Sequence, residues 1–188
     1  PSVVLTTSAA AEDVGDYVDQ SDMDTAPKIV EIDSLNLDTE GGTSLQPADL
    51  PSIAYLQYSS GSTRLPTGVM LSHRNLQANF EQLMRSLFAG EHVNSSTDLT
   101  IVSWLPFYHD MGLIFGICAP IIVGRPAVLM SPMAFLQKPA RWIQSLARYG
   151  QAFSAAPNFA FELAVRRTTD HDMAGLDLSR VLTIVSGS

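Results

Sequence analysis

The sequence predicts an α/β fold in which a mostly parallel sheet is flanked by helices. Short apolar and β-branched runs alternate with helical patterns along the whole chain, an arrangement typical of parallel sheets. The last expected strand runs directly into Ser186-Gly187-Ser188, where ligand loops lie in such sheets. The length of 188 residues suits one domain with a core, so we expect a single α/β segment over residues 1–188.

The expected strands are short runs of apolar or β-branched residues bounded by polar or turn-forming residues. They comprise residues 3–6, 28–32, 53–58, 69–71, 98–103, 127–130, 152–155 and 181–185. Residues 37–51 are expected to form a loop, because this stretch is polar and contains Gly41-Gly42 and two prolines.

The expected helices follow from apolar spacing and from residues that begin or end helices. They comprise residues 8–20, 73–89, 139–149 and 158–168. Ser8 and Ser72 are expected N-caps, since a serine side chain can accept a bond from the first turn. Gly150 is expected to end the third helix. The apolar run 113–118 is also helix-like.

Composition and charge exclude several classes of protein. The net charge is −8, and no cluster of Lys or Arg offers a nucleic-acid footprint. Acidic residues concentrate before about residue 50, which is typical of a solvated face. The most apolar stretch, 111–124, is too short for a membrane span and contains Pro120, so we expect no integral membrane segment.

The single cysteine, Cys118, lies in an apolar run, so we expect a buried thiol, no disulfide framework and a cytoplasmic location. The first residues lack the basic segment of a signal peptide. The chain begins with Pro1 and has no initiator Met, so we expect that it was cut from a larger protein.

Residues 59–68 place hydroxyls, glycines and one cation between two apolar strands, which suits a polyphosphate. Gly61 and Gly68 allow backbone N–H groups to approach closely, and Arg64 can neutralise charge. This is not a Walker A loop, because no G-K-(S/T) is present. On composition alone, a polar hairpin turn explains the segment equally well.

The sequence around this loop carries a family resemblance. Residues 58–76 (Y-S-S-G-S-T-R-L-P-T-G-V-M-L-S-H-R-N-L) resemble the phosphate loop of the adenylate-forming superfamily, whose general form is (S/T)-(S/T)-G-(S/T)-T-G-x-P-K-G-V followed by S-H-x-N. Two departures, Arg64 for Gly and Thr67 for Lys, resemble the fatty acyl-AMP ligase branch. The resemblance implies that the ATP phosphates contact Ser59, Ser60, Gly61, Ser62, Thr63, Arg64 and Gly68.

A second group of chemically active residues is W-L-P-F-Y-H-D-M-G-L at 104–113. The pair His109-Asp110 alone does not make a metal site, which needs further ligands, so none is predicted. A Ser-His-Asp hydrolase would need a G-x-S-x-G elbow, which this sequence lacks. The remaining alternative is a structural histidine whose hydrogen bonds are satisfied within the fold.

This segment resembles the second signature of the same superfamily, and again its fatty acyl-AMP ligase branch. The resemblance implies that His109 lies near the α-phosphate and the carboxylate, and that Phe107, Met111 and Gly112 line the acyl pocket. Core packing is an equally good account of most apolar residues here. Residues 186–188 resemble the start of the family's adenine loop, and the resemblance extends along essentially the whole chain.

The resemblance implies part of the large N-terminal domain of a ligase. Such a ligase uses ATP and Mg²⁺ to activate a long-chain fatty acid and passes the acyl group to an acyl carrier protein domain of a polyketide synthase. In the family, the catalytic Lys, the ribose-binding acid and the C-terminal domain lie beyond the part matched here, so we expect this segment alone to be inactive. Two alternatives stay open: an acyl-CoA ligase or amino-acid-adenylating domain, and a non-catalytic nucleotide- or acyl-binding module.

Overall fold

The structure is a computed structural model that describes residues 2–36, 51–59, 65–87 and 99–187. Within the chain, two compact units are distinguished, Pro1–Asp49 and Leu50–Ser188. A single segment over residues 1–188 stays a prediction. The loop expected at 37–51 lies outside the described residues, except for Pro51.

The described part of the first unit, residues 2–36, contains two parallel strands and one α-helix. Strands β1 (Val3–Thr6) and β2 (Lys28–Glu31) pair in parallel, with helix α1 (Ser8–Gln20) between them in sequence and a 3₁₀ turn at Ile32–Ser34. The prediction that Ser8 caps α1 was wrong. Thr7 occupies the N-cap, and Ser8 instead donates from its N–H and its hydroxyl to the Asp33 carboxylate, each at 2.8 Å.

The second unit begins with an antiparallel hairpin and a helix. Strand β3 (Ile53–Tyr58) pairs with β4 (Gly68–Ser72), and α2 (His73–Leu87) follows at once. Ser72 caps α2 as expected, because the Asn75 N–H donates to the Ser72 hydroxyl at 3.1 Å. In return, the Asn75 carboxamide oxygen accepts from the Ser72 N–H at 3.0 Å, so both ends of this turn are held.

A four-stranded parallel sheet with the order β6-β5-β7-β8 forms the centre of this unit. Its strands are β5 (Thr100–Ser103), β6 (Ala127–Leu129), β7 (Ala152–Ala156) and β8 (Thr183–Ser186). Strands β5 and β7 are buried along their length, which explains why their sequences read as continuous small or apolar runs. The α/β class with a mostly parallel sheet is confirmed.

Helical segments connect these strands. After β5 come a π-helical segment (Gly112–Cys118) and α3 (Ala119–Val123), which ends at Gly124 with φ of 61°. Between β6 and β7 lie α4 (Pro132–Gln137) and α5 (Ala140–Arg148), and between β7 and β8 lie α6 (Asn158–Arg167) and α7 (Asp170–Met173). Helix α5 ends before Gly150, whose φ of 74° fits the expected stop.

Three of these helices, α3, α4 and α7, were absent from the sequence prediction. Helix α4 begins at Ser131, whose hydroxyl accepts from the Ala134 N–H at 3.1 Å, with Pro132 in the first turn. Helix α7 begins with a reciprocal capping box between Thr169 and Asp172, which places His171 and Asp172 in a helix.

The core between sheet and helices is aromatic. The Trp104 ring stacks on Phe135 with 3.9 Å between centroids, and Trp142 meets both rings edge-on. Trp142 Nε1 donates to Ser154 Oγ at 3.0 Å, and Ser154 Oγ donates to the Val102 carbonyl oxygen at 2.6 Å. The buried Nε1 of Trp104 has no hydrogen-bond partner among the described residues. This packing fixes the carboxyl end of β5, from which the His109 segment departs.

Candidate active site

The site lies where the parallel strands of the sheet end. In the order β6-β5-β7-β8, the chain crosses from β5 to one side and later returns to β7 on the other. The carboxyl ends of β5 and β7 therefore border a topological switch point, the usual ligand crevice of open α/β sheets. The His109 segment follows β5, Asn158 follows β7, and Gly187 follows β8.

One cavity of about 380 Å³, here the carboxyl-edge cavity, brings these segments together. Its wall combines His109 and Met111 with Gly187, the described part of the expected adenine loop beyond β8. The remaining lining is apolar or aromatic: Trp104, Leu105, Pro106, Pro132, Leu136, Pro157 and Phe159. Two motifs separated by more than 70 residues in sequence thus share one cavity.

A second cavity of about 900 Å³, here the hairpin cavity, is also lined by His109 and Met111. His109, Asp110 and Met111 face it from one side, and residues of β3, β4 and α2 face it from the other. These facing residues include Tyr55, Met70, Leu71, Asn75, Leu76, Asn79 and Leu83. Polar groups and apolar side chains therefore share its wall, which suits an amphipathic ligand.

Tyr55, in the wall of the hairpin cavity, and Cys118, at the end of the π-helical segment, both keep their protons near pH 7 because their pKa values are raised. Burial raises the pKa of the Tyr55 hydroxyl, and it is raised further by Cys118, at the alkaline pH where its thiolate forms, and by the negative charge of Asp110. Burial also raises the pKa of the Cys118 thiol, as expected for a cysteine in an apolar run. Tyr55 therefore presents a neutral hydroxyl to the cavity.

The imidazole of His109 is oriented by its neighbour Asp110. The two side chains are 61% and 66% exposed, and His109 Nδ1 lies 2.7 Å from Asp110 Oδ1. Because a carboxylate only accepts, the Nδ1 proton is assigned to the contact with Asp110, and Nε2 is the ring nitrogen left for a ligand. The Met111 N–H is 2.6 Å from the same carboxylate oxygen and 3.3 Å from Nδ1, so it donates to Asp110.

Gly112 and Phe107, both expected in the acyl pocket, have packing contacts in this structure. A Cβ atom on Gly112 would overlap the carbonyl oxygen of Pro106, so only glycine fits where the π-helical segment crosses the chain leaving β5. The Phe107 ring lies over Gly116, where a Cβ atom would be 3.5 Å from ring atom Cε1. Neither residue belongs to the two cavity walls, so their pocket roles stay predictions.

The described ends of the expected phosphate loop are Ser59 and Gly68. The Ser59 N–H donates to the Thr67 carbonyl oxygen, and the Thr67 N–H donates to the Ser59 hydroxyl, both at 3.0 Å. These bonds close the loop at its base. A Cβ atom on Gly68 would lie 3.0 Å from Cζ of Tyr58, so a side chain there would have to displace the exposed tyrosine ring by a few tenths of an ångström.

The centre of that loop is outside the described residues, as is the end of the adenine segment: Ser60, Gly61, Ser62, Thr63, Arg64 and Ser188. Along β4, Gly68 is three residues from Leu71 in the hairpin cavity, or roughly 10 Å of extended strand. The loop therefore emerges from the hairpin that forms one side of this cavity.

Several wall residues were missed from sequence, namely Trp104, Phe159, Tyr55 and Asn79. The first two follow β5 and β7 closely, and proximity to a strand's carboxyl end was the available signal. A third cavity of about 430 Å³, between α5, α6 and β8, is lined by none of the predicted site residues.

Across the described ranges, no group of three or more His, Cys, Asp or Glu could hold a metal ion. Among the helices of the same residues, none is long and apolar enough to cross a membrane.

A family model described as AMP-binding enzyme matches residues 1–188, the whole chain. The chain belongs to the AMP-binding enzyme family. The resemblance of the phosphate-loop and His109 motifs to adenylate-forming enzymes is thereby confirmed.

Known members of the AMP-binding family include close relatives of this chain. A Mycobacterium leprae protein with the provisional name fatty-acid–CoA ligase FadD21 is 61% identical over 188 residues, all of this chain and 32% of that protein. The long-chain-fatty-acid–AMP ligase FadD28 of Mycobacterium tuberculosis is 56% identical over the same length and share. The chain thus spans about a third of the length of the curated relatives it matches.

A solved structure shows the same fold. The fatty acyl-adenylate ligase from L. pneumophila, in complex with acyl adenylate and pyrophosphate, is 36% identical, with a TM-score of 0.76. The match covers 100% of this chain and 31% of that one. The fold of this chain is therefore that of a segment of an adenylate-forming enzyme.

Proposed function

We propose that the protein containing this chain activates a long-chain fatty acid with ATP, giving acyl adenylate and pyrophosphate. The observation that carries the proposal is the position of His109 and Met111, which line both the carboxyl-edge cavity and the hairpin cavity. A residue shared by two cavities can meet a substrate in each. The names of the fatty-acid ligases that this chain resembles support the same reaction.

In this reaction a carboxylate oxygen attacks the α-phosphorus, the bond to the β-phosphate breaks, and pyrophosphate leaves. When Nε2 of His109 carries a proton, the ring can donate it in a hydrogen bond to the carboxylate or to an α-phosphate oxygen. Asp110, 2.7 Å from Nδ1, then balances the positive charge and fixes the ring. We assign His109 to positioning and charge stabilisation in the transfer step.

The phosphates are proposed to lie in the loop at residues 59–68, and adenine beside residues 186–188. The closed base between Ser59 and Thr67 supports this assignment, since it holds the ends of a Ser- and Gly-rich loop. Mg²⁺ is proposed to enter with the nucleotide, because this ion commonly keeps several waters and binds through substrate phosphates.

The hairpin cavity is proposed to hold the acyl chain. Its apolar part includes Met70, Leu83, Ile114 and Phe115, and Asp110 is the single acid among the described residues that line it. That carboxylate already accepts hydrogen bonds from His109 and from the Met111 N–H. A fatty acid therefore fits this cavity better than an amino acid.

The acyl acceptor is proposed to be an acyl carrier protein domain of a polyketide synthase. The departures at Arg64 and Thr67 support this branch of the family. Coenzyme A is the second candidate, favoured by the name of the M. leprae relative. A cytoplasmic location, expected from the single Cys118, belongs to the same proposal.

The test uses the full-length protein that contains this segment. We expect fatty-acid-dependent ATP–pyrophosphate exchange with acids of about 12 to 18 carbons, and a higher kcat/KM for them than for any amino acid. His109→Ala should reduce exchange strongly, and His171→Ala, on α7, is the matched control. Preferred activation of amino acids would overturn the proposal. Binding of ATP and fatty acid without exchange would instead indicate a non-catalytic module.

The acceptor is tested separately by offering a phosphopantetheinylated carrier protein and coenzyme A to the acyl adenylate. Predominant acyl-CoA would favour the second candidate. Residues 1–188 alone are expected to show no exchange above a blank without protein, because the relatives are about three times longer.

A further inference from the structure

The chain leaving β8 is held to the start of α6 by one side-chain hydrogen bond. The Ser186 hydroxyl donates to the Asn158 carboxamide oxygen at 2.6 Å, across 28 residues of sequence. Strands β7 and β8 are paired up to Ala156 and Ser186, and one backbone bond continues beyond them, from the Gly187 N–H to the Ala156 carbonyl oxygen at 3.2 Å. The next residue of the β7 chain is Pro157, which has no N–H to donate.

Asn158 does little for its own helix. The N-cap of α6 is Pro157, which has no side-chain capping bond, and Asn158 is already the first helical residue. Its side-chain oxygen is directed to Ser186 instead of to the first turn. Both residues of the pair lie outside the core, so breaking the bond buries no unpaired polar group.

The bond stands next to the candidate site without being part of its wall. Pro157 and Phe159, on either side of Asn158, line the carboxyl-edge cavity together with Gly187. Gly187 also lies against Met111, with 3.5 Å between a Cβ atom built on Gly187 and Met111 Cε. Fixing Ser186 therefore fixes the backbone of Gly187 relative to Met111 and His109.

We propose that Asn158 is a positioning residue for the loop after β8, holding Ser186 so that the adenine-binding backbone is preformed. The proposal rests on the proposed function, because that function assigns adenine to residues 186–188. A loop ordered before binding loses less conformational freedom when the nucleotide binds. Loss of the bond should therefore weaken ATP binding more than it slows the chemical step.

The test compares Asn158→Ala, Ser186→Ala and the double variant in the full-length protein. Each single variant should raise KM for ATP about fivefold and change kcat less than about twofold, as for loss of one hydrogen bond. The double variant should be no worse than the worse single variant, because the two residues share one bond. Asn158→Asp keeps an acceptor and should restore KM to within about twofold of wild type.

A second measurement does not depend on activity. Amide hydrogen exchange without ligand should become faster at Ser186 and Gly187 in Asn158→Ala and in Ser186→Ala. Glu162→Ala, which breaks an exposed side-chain bond elsewhere on α6, is the matched control and should leave this exchange unchanged.

The outcomes separate the two proposals. Additive effects in the double variant, unchanged exchange at Gly187, or an unchanged KM despite faster exchange would each overturn the role of Asn158. Absence of acyl adenylate with wild-type protein would overturn the proposed function, and the exchange measurement would still decide whether Asn158 orders this loop.

Discussion

The terminal methyl group of Met111 lies against Gly187, so that a Cβ atom on Gly187 would be 3.5 Å from Met111 Cε. This contact joins the segment that follows β5 to the loop that follows β8. Met111 also lines the hairpin cavity, so one side chain touches both regions that the proposed reaction must bring together. Its size controls how far these regions are separated.

Truncation of Met111 should therefore impair acyl binding more than folding. We expect Met111→Ala to lower kcat/KM for a long-chain acid by about 1–2 kcal/mol, roughly half the cost of truncating a fully buried methionine. Steady-state kinetics of the full-length enzyme measures this loss. Met133→Ala, at a 60% exposed position on α4, is the control and should leave kcat/KM unchanged. Equal effects of the two substitutions would contradict the assignment.

Gly112 should tolerate no side chain, for a packing reason. Because a Cβ atom there would overlap the carbonyl oxygen of Pro106, the backbone must move. Gly112→Ala should lower the free energy of unfolding by about 2 kcal/mol or more. Gly116→Ala, in the same π-helical segment, meets Ser103 Oγ at 3.3 Å and should cost less than about 1 kcal/mol. Thermal or urea denaturation measures the stability of the two variants. Equal stabilities would refute the claim that the Pro106 carbonyl group excludes a side chain at Gly112.

Side chains of the phosphate loop should affect kcat as well as the binding of ATP. If Thr63 and Ser62 donate to charge that grows as pyrophosphate leaves, replacing either by Ala should cost about 2–3 kcal/mol in kcat/KM, with kcat lowered. Arg64→Ala should cost at least as much, because Thr67 cannot supply the charge of the usual Lys. Arg64→Lys should restore only part of the lost kcat/KM, since lysine returns the positive charge without the forked set of N–H donors of arginine.

Kinetics on folded Arg64→Ala, with circular dichroism as the check on folding, decides this prediction. Arg85→Ala is the matched control, because Arg85 is 83% exposed on α2 and pairs with Glu81. A purely structural turn predicts reduced thermal stability with unchanged kcat and KM. Wild-type kcat and KM in a folded Arg64→Ala enzyme would thus show that Arg64 has no role in the phosphate site.

Asp172 should make stability depend on acid pH. Hydrogen bonds from Lys138 and Thr169 lower the pKa of its carboxyl from 3.8 to about 2. A carboxyl whose pKa is lower in the folded state stabilises that state above the unfolded value, and loses this effect as pH falls through the folded value. The contribution is therefore full above about pH 5 and decreases between about pH 4 and pH 2.

The measurement is the Tm of wild type and of Asp172→Asn across that range. We expect the variant to have the lower Tm at about pH 6, with the difference narrowing toward about pH 2.5. Asp170→Asn removes the same charge from the same helix and should show a smaller difference. A Tm difference for Asp172→Asn that is constant with pH would show that the ionised carboxyl is not the cause.

Local chemistry made much of this chain predictable. The burial of β5 and β7 follows from their continuous apolar or small residues, and the Ser72 cap and Gly150 stop follow from side-chain size and hydrogen bonding. Each error also has a physical cause. Ser8 has an available partner in Asp33, which the sequence separates from it by 25 residues. The capping residues that begin α4 and α7 are visible in the sequence, but both helices are too short to show helical periodicity, so they were missed.

The sequence by itself determined the alternation of strands and helices, the family, and the two motifs that carry the expected chemistry. These depend on residue type and spacing, which are fixed along the chain. Only the tertiary structure decided that Met111 meets Gly187, that Gly112 is required by the Pro106 carbonyl group, and that Ser186 is held by Asn158. The contacts of Met111 with Gly187 and of Asn158 with Ser186 join separate chain segments at the carboxyl edge of the sheet, where strand order brings the ends of β5, β7 and β8 together. The contact of Gly112 with Pro106 depends on how the chain leaving β5 turns back on itself.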